Sequence, residues 1–357
     1  MNDHYDVVVV GGGVVGTAVF HRLCTETRLR TILVEQSRFA LGSTGWSGAV
    51  IRCFDLDRLL TDLACEGVRY YRQLPHEVAI ATRRPMQFLH FIYPDQEKYA
   101  RDEVARLASD IELDWLPRKQ AEARFPQMSW EGLAGAVFEP FAAWMEPARM
   151  CRYWVDTARD AGGTALEGVR FEGVISRAGN FEGIATNMGP IYARRAVLCT
   201  GAWTEAATRN AGVALPRPVR AKKIQLNSYL AGGCVGSYPA YFDPSLHIYG
   251  RPDADRLLVG SPVPEWSEQP DVTEIPTLEH SQTTLALAGR RFRELASAQP
   301  AGGYRRFDGY TDDARGIVAE LDDRIVAATG FSGGGFKLAP AVARAVKHLI
   351  AARANKD

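Results

Sequence analysis

Short apolar runs and helical spacings follow one another along the chain and predict alternating strands and helices. Tyr5 to Val10 (YDVVVV) is a β-branched run typical of a buried parallel strand, and Thr31 to Glu35 (TILVE) is a second one. A glycine loop and a helical stretch from about Thr17 to Thr25 lie between these two runs. This order predicts one βαβ unit at the start of the sequence.

The middle of the chain continues the alternation. Helical spacing predicts helices from about Leu56 to Leu74, within Asp95 to Ser109, and from Pro147 to about Ala161, where two glycines follow. Strands are predicted at the FLHFIY run, in segments up to about Val174, and at Ala196 to Thr200.

The last third of the chain has a different pattern. Between about Pro216 and Pro300 the sequence is rich in strand-like runs and prolines, which is typical of an antiparallel sheet. Arg324 to Thr329 then predicts a buried strand, and glycines and a closing helix from Pro340 to Ala352 follow it. This end therefore repeats the order of strand, glycine turn and helix that opens the chain.

A chain of 357 residues is long enough to form two associated domains. Because the two ends share one pattern, we predict a discontinuous nucleotide-binding domain made of residues 1–85, 146–215 and 300–357. Residues 86–145 and 216–299 are predicted to form a substrate-binding domain around the antiparallel sheet. The expected fold class is α/β, with a Rossmann-like domain and a second sheet.

Composition narrows the possible partners. The 42 basic and 42 acidic side chains give zero formal charge, so the chain lacks the field that binds nucleic acid or an anionic membrane. No apolar run reaches the length of a membrane span, and no secretory leader pattern opens the sequence. Six scattered cysteines, without a CxxC pair or a histidine cluster, predict reduced thiols in a cytoplasmic protein and no metal site.

The first glycine loop satisfies the GxGxxG pattern. Gly11 permits the tight turn, Gly13 lets the backbone approach a pyrophosphate, and Gly16 allows the helix to pack closely on the strand. Glu35 follows about twenty residues later and can accept hydrogen bonds from ribose hydroxyls. A carboxylate there would repel a 2′-phosphate, which disfavours NADP. The motif by itself leaves FAD and NAD open.

A second glycine turn near the end of the chain favours a flavin. Ala327 to Lys337 (AATGFSGGGFK) joins the predicted strand to the closing helix, and a helix N-terminus attracts negative charge. A reduced flavin ring carries negative charge, whereas an NAD-dependent dehydrogenase, which would be colourless when purified, has little use for a second such site.

These motifs together resemble the D-amino-acid oxidase type of FAD-dependent oxidoreductases, especially the branch that contains monomeric sarcosine oxidase, glycine oxidase and amine dehydrogenase β-subunits. The resemblance rests on VVVVGGGVVG with Glu35, on STGWSGAVIR from Ser43 to Arg52, on AVLCTGAW from Ala196 to Trp203, and on ATGFSGGGFKLAP from Ala328 to Pro340. It implies a glutathione-reductase type of FAD-binding domain.

The resemblance also implies which residues hold the cofactor. They are Gly11, Gly13, Val14, Val15, Gly16, Glu35, Gln36, Ser43, Thr44, Trp46, Ser47, Phe171, Thr200, Gly201, Trp203, Gly330, Gly333, Gly334, Gly335, Phe336 and Lys337. Sarcosine-oxidase-type enzymes often link the flavin to a cysteine shortly before the closing strand. The corresponding stretch from Phe307 to Thr311 has no cysteine, so noncovalent FAD is expected.

Four residues are implied as catalytic. Arg52 and Lys337 match the arginine and lysine that bind the substrate carboxylate in the sarcosine-oxidase branch. Because a cation at a helix N-terminus is unfavourable, Lys337 is also expected to have an anion nearby. Tyr249 takes the position of a lysine that helps sarcosine oxidase react with oxygen, which suggests a different electron acceptor. His247 is the fourth residue, and Arg251, on the other side of Tyr249, is a further site candidate outside these four.

The implied activity is oxidation of the C–N bond of a small carboxylate-bearing amine or amino acid to an imine, by hydride transfer to flavin N5. An alternative is a flavoprotein that acts on or with a protein partner, as a maturation factor or a β-like subunit of a hetero-oligomeric amine dehydrogenase. A third possibility is an NAD-dependent dehydrogenase.

Overall fold

The computed structural model describes residues 4–230, 238–267, 269–270 and 275–354. Its helices are α1 (Val14–Glu26), α2 (Arg58–Arg72), α3 (His76–Thr82), α4 (Glu97–Leu107), α5 (Arg118–Arg124), α6 (Pro147–Asp160), α7 (Thr204–Ala211), α8 (Leu278–Gly289) and α9 (Gly335–Ala354). Its strands are β1 (Tyr5–Val10), β2 (Thr31–Glu35), β3 (Val50–Ile51), β4 (Arg83–Ile92), β5 (Asp114–Pro117), β6 (Gly135–Met145), β7 (Thr164–Glu167), β8 (Phe171–Arg177), β9 (Asn180–Thr186), β10 (Gly189–Leu198), β11 (Arg220–Leu230), β12 (Ala240–Asp243), β13 (Ile248–Asp253), β14 (Arg256–Ser267), β15 (Gln299–Tyr310), β16 (Ile317–Glu320) and β17 (Ile325–Thr329).

The first sheet has the strand order β16-β17-β10-β1-β2-β7. Strands β17, β10, β1, β2 and β7 run parallel, whereas β16 is antiparallel to its neighbour β17. The sheet is therefore assembled from both ends of the chain and from its middle, and its parallel strands end at one common edge.

Both faces of this sheet are covered, and alternate residues of β1 pack into the two cores on either side of it. Val7 and Val9 pack in the core under α1, α6 and α9, while Val8 and Val10 pack in a second core on the opposite face. Successive side chains of a strand point to opposite faces, so an unbroken valine run fits a sheet that is buried on both faces. The antiparallel ribbon of β8 and β9 contributes to the second core and pairs with β10.

The second sheet has the order β15-β11-β14-β13-β12-β4-β6-β3, with β5 paired to β6. Most of its pairs are antiparallel, as the strand-rich and proline-rich segment predicted, and β12 with β4 is a parallel pair. β3, the start of β4, and β15 all belong to this sheet, although the predicted boundaries place residues 1–85 and 300–357 in the nucleotide domain. The division into domains stays a prediction.

The closing helix begins earlier than the sequence predicts. Pro340 was expected at its start, but α9 begins at Gly335, so Pro340 lies inside the helix. A proline cannot donate to the carbonyl four residues before it, here that of Phe336. The hydroxyl of Tyr71 donates to this carbonyl at 2.9 Å and replaces the missing bond. The helix α8 also differs from the sequence prediction, because it lies in the segment predicted to be rich in strands.

Helix α2 fixes the start of α9 by close contact. An added Cβ on Gly67 would lie 1.9 Å from the carbonyl oxygen of Lys337, so only a glycine fits there. The backbone of the closing turn is therefore held in place by a helix from the first quarter of the chain.

Candidate functional site

A groove opens at the edge where the parallel strands of the first sheet end. It has a volume of about 750 Å³. The loops after β1, β2, β10 and β17 line it, as expected for an open α/β sheet, in which ligands bind at the carboxyl ends of the strands. The groove brings together fourteen of the predicted cofactor-binding residues: Gly11, Gly13, Val14, Val15, Glu35, Gln36, Ser43, Thr44, Phe171, Thr200, Gly201, Trp203, Gly330 and Gly335.

The glycine loop has the geometry that its sequence predicts. Gly11 has φ of 106°, and a Cβ there would lie 2.4 Å from the carbonyl oxygen of Cys199. A Cβ on Gly16 would lie 1.8 Å from the carbonyl oxygen of Gly11, so this glycine permits close packing and does not line the groove. The backbone therefore stays bare at the N-terminus of α1, where free amides favour phosphate.

Glu35 lies at the end of β2 and lines the groove. Its carboxylate accepts hydrogen bonds from Gly12 N at 2.7 Å and Ser37 N at 2.8 Å. Burial raises its pKa, although the two backbone donors oppose that effect. Each carboxylate oxygen can accept further bonds, so Glu35 is tied to the glycine loop and still able to receive hydroxyl donors.

The loop after β2 crosses the mouth of this groove as a 3₁₀ turn from Ser43 to Trp46. The hydroxyl of Thr44 accepts a hydrogen bond of 2.9 Å from the amide of Val14, and the hydroxyl of Ser43 donates to the carbonyl of Phe307. These bonds connect the loop to α1 and to β15. The ring of Trp46 packs against Tyr304 with centroids 5.3 Å apart.

A second cavity of about 520 Å³ continues from the groove. Val14, Ser43, Thr44, Asp308, Phe331 and Gly335 line both spaces, so the two are joined. The second cavity lies between the first sheet's loops and a face of the second sheet. It collects further predicted residues, namely Trp46, Ser47, Arg52, His247, Tyr249, Gly333, Gly334, Phe336 and Lys337.

Arg52 and Lys337 meet in this cavity although they lie at opposite ends of the chain. Lys337 Nζ lies 2.9 Å from Oδ2 of Asp55, and Arg52 Nη2 lies 3.4 Å from the same oxygen. The other terminal nitrogen of Arg52 donates to the carbonyl of Phe54. The anion that Lys337 was expected to need is therefore Asp55.

Burial and charge act together on this cluster. Burial tends to raise the pKa of Asp55, but the positive charges of Lys337 and Arg52 outweigh it and hold that pKa well below its usual range. Burial and the charge of Arg52 lower the pKa of Lys337. Burial also lowers the pKa of His90, beside the cluster, to about 3, which keeps the imidazole neutral at physiological pH.

Glu139 on β6 supports the loop that carries Arg52. Its carboxylate accepts from Cys53 N at 2.7 Å and from Phe54 N at 2.9 Å, and the side chain is buried. The Arg52 guanidinium packs over Phe88 at 5.1 Å and over Phe242 at 5.7 Å. These contacts hold the arginine in one position before any ligand binds.

The second sheet supplies an aromatic wall. Tyr249 on β13 lies opposite Gly260 on β14, where an added Cβ would lie 2.3 Å from the tyrosine ring. His247 precedes β13 with φ of 51° and is exposed at the cavity. Arg251 lines the same cavity and pairs with Asp253 at 2.9 Å. The roles predicted for Tyr249 and His247 remain predictions.

Two acidic residues of the site escaped the sequence analysis. One is Asp55, and the other is Asp308, which lines both spaces and accepts from Gly309 N at 2.8 Å and Gly333 N at 2.9 Å. Burial raises the pKa of Asp308. Position alone marks them in the sequence: Asp55 stands three residues after Arg52, and Asp308 lies in the cysteine-free stretch from Phe307 to Thr311.

The joined spaces fit an extended dinucleotide. One end presents a bare glycine loop with a carboxylate at the ribose position, and the other reaches the glycine turn at the start of α9. Within the described ranges, no three histidine, cysteine or acidic side chains lie together as a metal ion would require. None of the helices in those ranges combines the length and apolar character needed to cross a membrane.

Comparison with known proteins agrees with this geometry. The sequence profile of the family described as "FAD dependent oxidoreductase" (DAO) matches residues 6–349. Glycine oxidase of Bacillus subtilis (strain 168) is 25% identical over 98% of this chain and 94% of its own length. The 4-methylaminobutanoate oxidase (formaldehyde-forming) of Paenarthrobacter nicotinovorans is 27% identical over 97% of this chain, which spans 44% of that relative.

A solved structure shows the same fold. L-Proline dehydrogenase from P. horikoshii superposes with a TM-score of 0.85 at 20% identity, over 98% of this chain and 94% of that one. The predicted α/β fold with two sheets is confirmed by this similarity.

Proposed function

The chain belongs to the family of FAD-dependent oxidoreductases, and on that premise we propose that it oxidises the C–N bond of a small, carboxylate-bearing amine or amino acid to an imine. The family resemblance inferred from the motifs is confirmed, and with it the assignment of FAD over NAD. The substrate and the roles of individual residues are proposals.

One observation carries the proposal. Arg52 and Lys337 line one cavity, and that cavity is continuous with the dinucleotide groove. A guanidinium and an ammonium side by side match a carboxylate, which accepts several charge-assisted hydrogen bonds. Three of the similar proteins are named for small carboxylate-bearing amines, namely glycine, 4-methylaminobutanoate and L-proline.

FAD fits the residues that are present. The first glycine loop and Glu35 would hold its adenosine diphosphate half, and the loop from Ser43 and the turn from Gly330 would hold its ring. When bound, FAD supplies the acceptor for the hydride. The stretch from Phe307 to Thr311 contains no cysteine, so we propose that the cofactor is bound noncovalently.

The protein's own residues orient the substrate and dry the cavity. Arg52 and Lys337 hold the carboxylate, which places the amine end toward the aromatic wall that includes Tyr249. An amine that leaves water for the largely apolar lining of this cavity becomes a weaker base, so it loses its proton without a dedicated catalytic base. Alignment and desolvation are therefore the contributions assigned to the chain.

The proposed activity is tested by the visible spectrum of the FAD-loaded protein under anaerobic conditions. We expect the flavin band to bleach when one of a panel of amino acids is added, including glycine, proline and N-methylated amino acids. A band that no amino acid bleaches would contradict the proposal and would favour the alternative in which the substrate is presented by a protein partner. Absence of flavin after reconstitution would contradict the cofactor assignment.

Arg52 and Lys337 together form the proposed carboxylate clamp, and its contribution to substrate binding can be predicted quantitatively. Arg52→Met and Lys337→Met each remove a charged hydrogen-bond donor, which costs about 1.5 to 3 kcal/mol. Steady-state kinetics should therefore show KM raised roughly 10- to 100-fold in each variant. Lys98→Met, which changes a lysine with 89% exposure of its side chain on α4, is the matched control and should behave as wild type. Unchanged KM in both cavity variants would reject the clamp.

The predictions about cellular location and about the electron acceptor are also proposals. We propose a cytoplasmic protein, supported by the buried free thiols of Cys24, Cys53, Cys65, Cys151 and Cys199; the sixth cysteine, Cys234, lies outside the described residues. The position of Tyr249 supports electron transfer to an acceptor other than oxygen, which a comparison of turnover with oxygen and with an artificial electron acceptor would test.

A further inference from the structure

Arg52 and Lys337, the proposed carboxylate clamp, already contact one carboxylate of the protein itself, that of Asp55. Oδ2 of Asp55 is 2.9 Å from Lys337 Nζ and 3.4 Å from Arg52 Nη2. The side chains of all three residues are largely buried, at 8% exposure for Lys337, 13% for Arg52 and 21% for Asp55. Asp55 also lines the cavity, so its charge acts directly on any ligand that enters.

Lys337 retains capacity for a ligand in this arrangement. An ammonium group has three donors, and the described hydrogen bonds use one of them, toward Asp55. Arg52 likewise has five N–H donors, of which the bonds to Phe54 and Asp55 use two. A substrate carboxylate can therefore join the cluster without displacing Asp55.

The charge of this inner pocket follows from the groups that face Lys337. Arg52 and Asp55 lie on the loop after β3, His90 lies on β4 and Glu139 lies on β6. His90 is neutral because burial depresses its pKa, and the carboxylate of Glu139 is directed at two backbone amides. Asp55 thus offsets one of the two cations of this cluster, and its removal would raise the net charge of the cluster by one unit.

We propose that Asp55 determines specificity by offsetting one of the two cations of the inner pocket, so that the pocket accepts amines with one carboxylate and discriminates against those with two. The proposal rests on the proposed function, because it assumes that a substrate carboxylate binds at Arg52 and Lys337. A single carboxylate can bind the donors that Arg52 and Lys337 retain, whereas a second would be buried beside Asp55 without a cation of its own at this cluster, which is costly.

Propionate and malonate are suitable probes because they have the same number of carbons and differ by one carboxylate. Binding of each to the oxidised, FAD-loaded protein is measured by the change in the flavin absorption spectrum, without turnover. We expect wild type to prefer propionate, and Asp55→Asn, which has one more positive charge than wild type, to shift the ratio of the two dissociation constants toward malonate by at least tenfold. Asp55→Glu keeps the charge and should keep the wild-type preference.

A double variant keeps the test informative if Asp55→Asn folds poorly. Lys337→Met in wild type removes one charge and should weaken propionate binding. Combining Lys337→Met with Asp55→Asn removes one cation and one anion, which returns the net charge of the cluster to its wild-type value, so propionate binding should recover at least partly toward wild type. A purely structural role for Asp55 predicts instead that the double variant binds more weakly than either single variant.

The outcomes separate the two proposals. If propionate does not perturb the flavin of wild type, the carboxylate pocket itself is wrong. If propionate binds to wild type but Asp55→Asn shows the wild-type ratio of affinities, the pocket stands and the role of Asp55 is overturned. A double variant that recovers no propionate binding also overturns that role.

Discussion

Among single residues, His90 shows how strongly the charged cluster depends on burial. The imidazole is 1% exposed and packs edge-on against Phe54 and Phe242, with centroids 4.9 and 5.1 Å away. Burial, and next the charge of Arg52, lower its pKa to about 3. A neutral histidine therefore lies beside the two cations and packs against aromatic rings of the same site.

This histidine predicts a pH dependence of stability. The pKa of His90 is depressed in the folded state. Between about pH 6.5 and pH 3, the unfolded chain therefore binds a proton that the folded chain does not bind. The contribution to stability is complete above pH 6.5 and is lost as the pH falls, at up to about 1.4 kcal/mol per pH unit. His90→Phe should flatten this slope in urea unfolding measured from pH 7 to pH 4.

His21 offers a comparison for the same experiment. Burial lowers its pKa to about 4, and the charge of Arg22 acts in the same direction. Between pH 7 and pH 4, His21→Phe should flatten the slope in the same way as His90→Phe, because the pKa values of the two folded-state histidines differ only below about pH 4. Unfolding curves that stay parallel to wild type in both variants would show that these histidines are protonated in the native protein.

At this scale the sequence analysis identified cations better than anions. Arg52 and Lys337 end recognisable motifs, and both line the expected cavity. Asp55 and Asp308 belong to no recognisable sequence motif, because their place in the site depends on how the loops that contain them are arranged in the fold. Only the path of the chain after Arg52 brings Asp55 to a lysine on the last helix.

Among the elements, α2 and α9 have the closest contact near the site. Gly67 on α2 lies against the carbonyl of Lys337, and Tyr71, one turn later, donates to the carbonyl that Pro340 leaves without a partner. The pair of helices thus satisfies the carbonyl that Pro340 leaves without a donor and fixes the position of Lys337, which we propose to bind substrate.

Gly67→Ala should therefore destabilise the protein and disturb the site. The added methyl would lie 1.9 Å from the Lys337 carbonyl oxygen, and overpacking of this kind costs about 1 to 3 kcal/mol. The higher helix propensity of alanine returns only about 1 kcal/mol. Urea unfolding should show a lower midpoint, and the dissociation constant of propionate should rise.

The control for this variant lies on the same helix. Leu59 is 49% exposed, so Leu59→Ala removes little buried surface and should leave both measurements near wild type. A stable Gly67→Ala protein with unchanged propionate binding would mean that α2 can move away from α9 at no cost to the site.

The start of α9 was mispredicted for a physical reason. A proline is favoured in the first turn of a helix, so Pro340 was assigned to that position from the sequence. The alternative, a proline inside the helix, requires a donor from elsewhere in the chain, and Tyr71 lies too far away in sequence to be anticipated. In contrast, β1 and β2 begin and end where their apolar runs do, because both faces of this sheet are buried.

For the whole molecule, the cofactor should contribute to stability. A ligand at 100 times its dissociation constant that binds only the folded state adds about 2.7 kcal/mol. The groove proposed to bind FAD is lined by loops from both ends of the chain, so we expect FAD to raise the urea midpoint of the apoprotein by a corresponding amount. Gly11→Ala should abolish this gain, because its Cβ would lie 2.4 Å from the Cys199 carbonyl oxygen.

Gly132→Ala provides the matched control. Gly132 also has a positive φ, of 75°, but no atom lies within 4 Å of its added Cβ, and it lines neither the groove nor the cavity. This variant should lose some stability from backbone strain and keep the full increment from FAD. Equal loss of the increment in both variants would show that the glycine loop does not carry the cofactor.

The strand order of the first sheet also has a consequence for biosynthesis. β1 lies beside β10, and β17 completes the same edge of the groove. At about 5 to 20 residues per second, a ribosome that has made the first glycine loop works for tens of seconds more before the last glycine turn exists. The nascent chain therefore has only half of the proposed cofactor site until the last glycine turn has been made, and flavin should be captured only after that point.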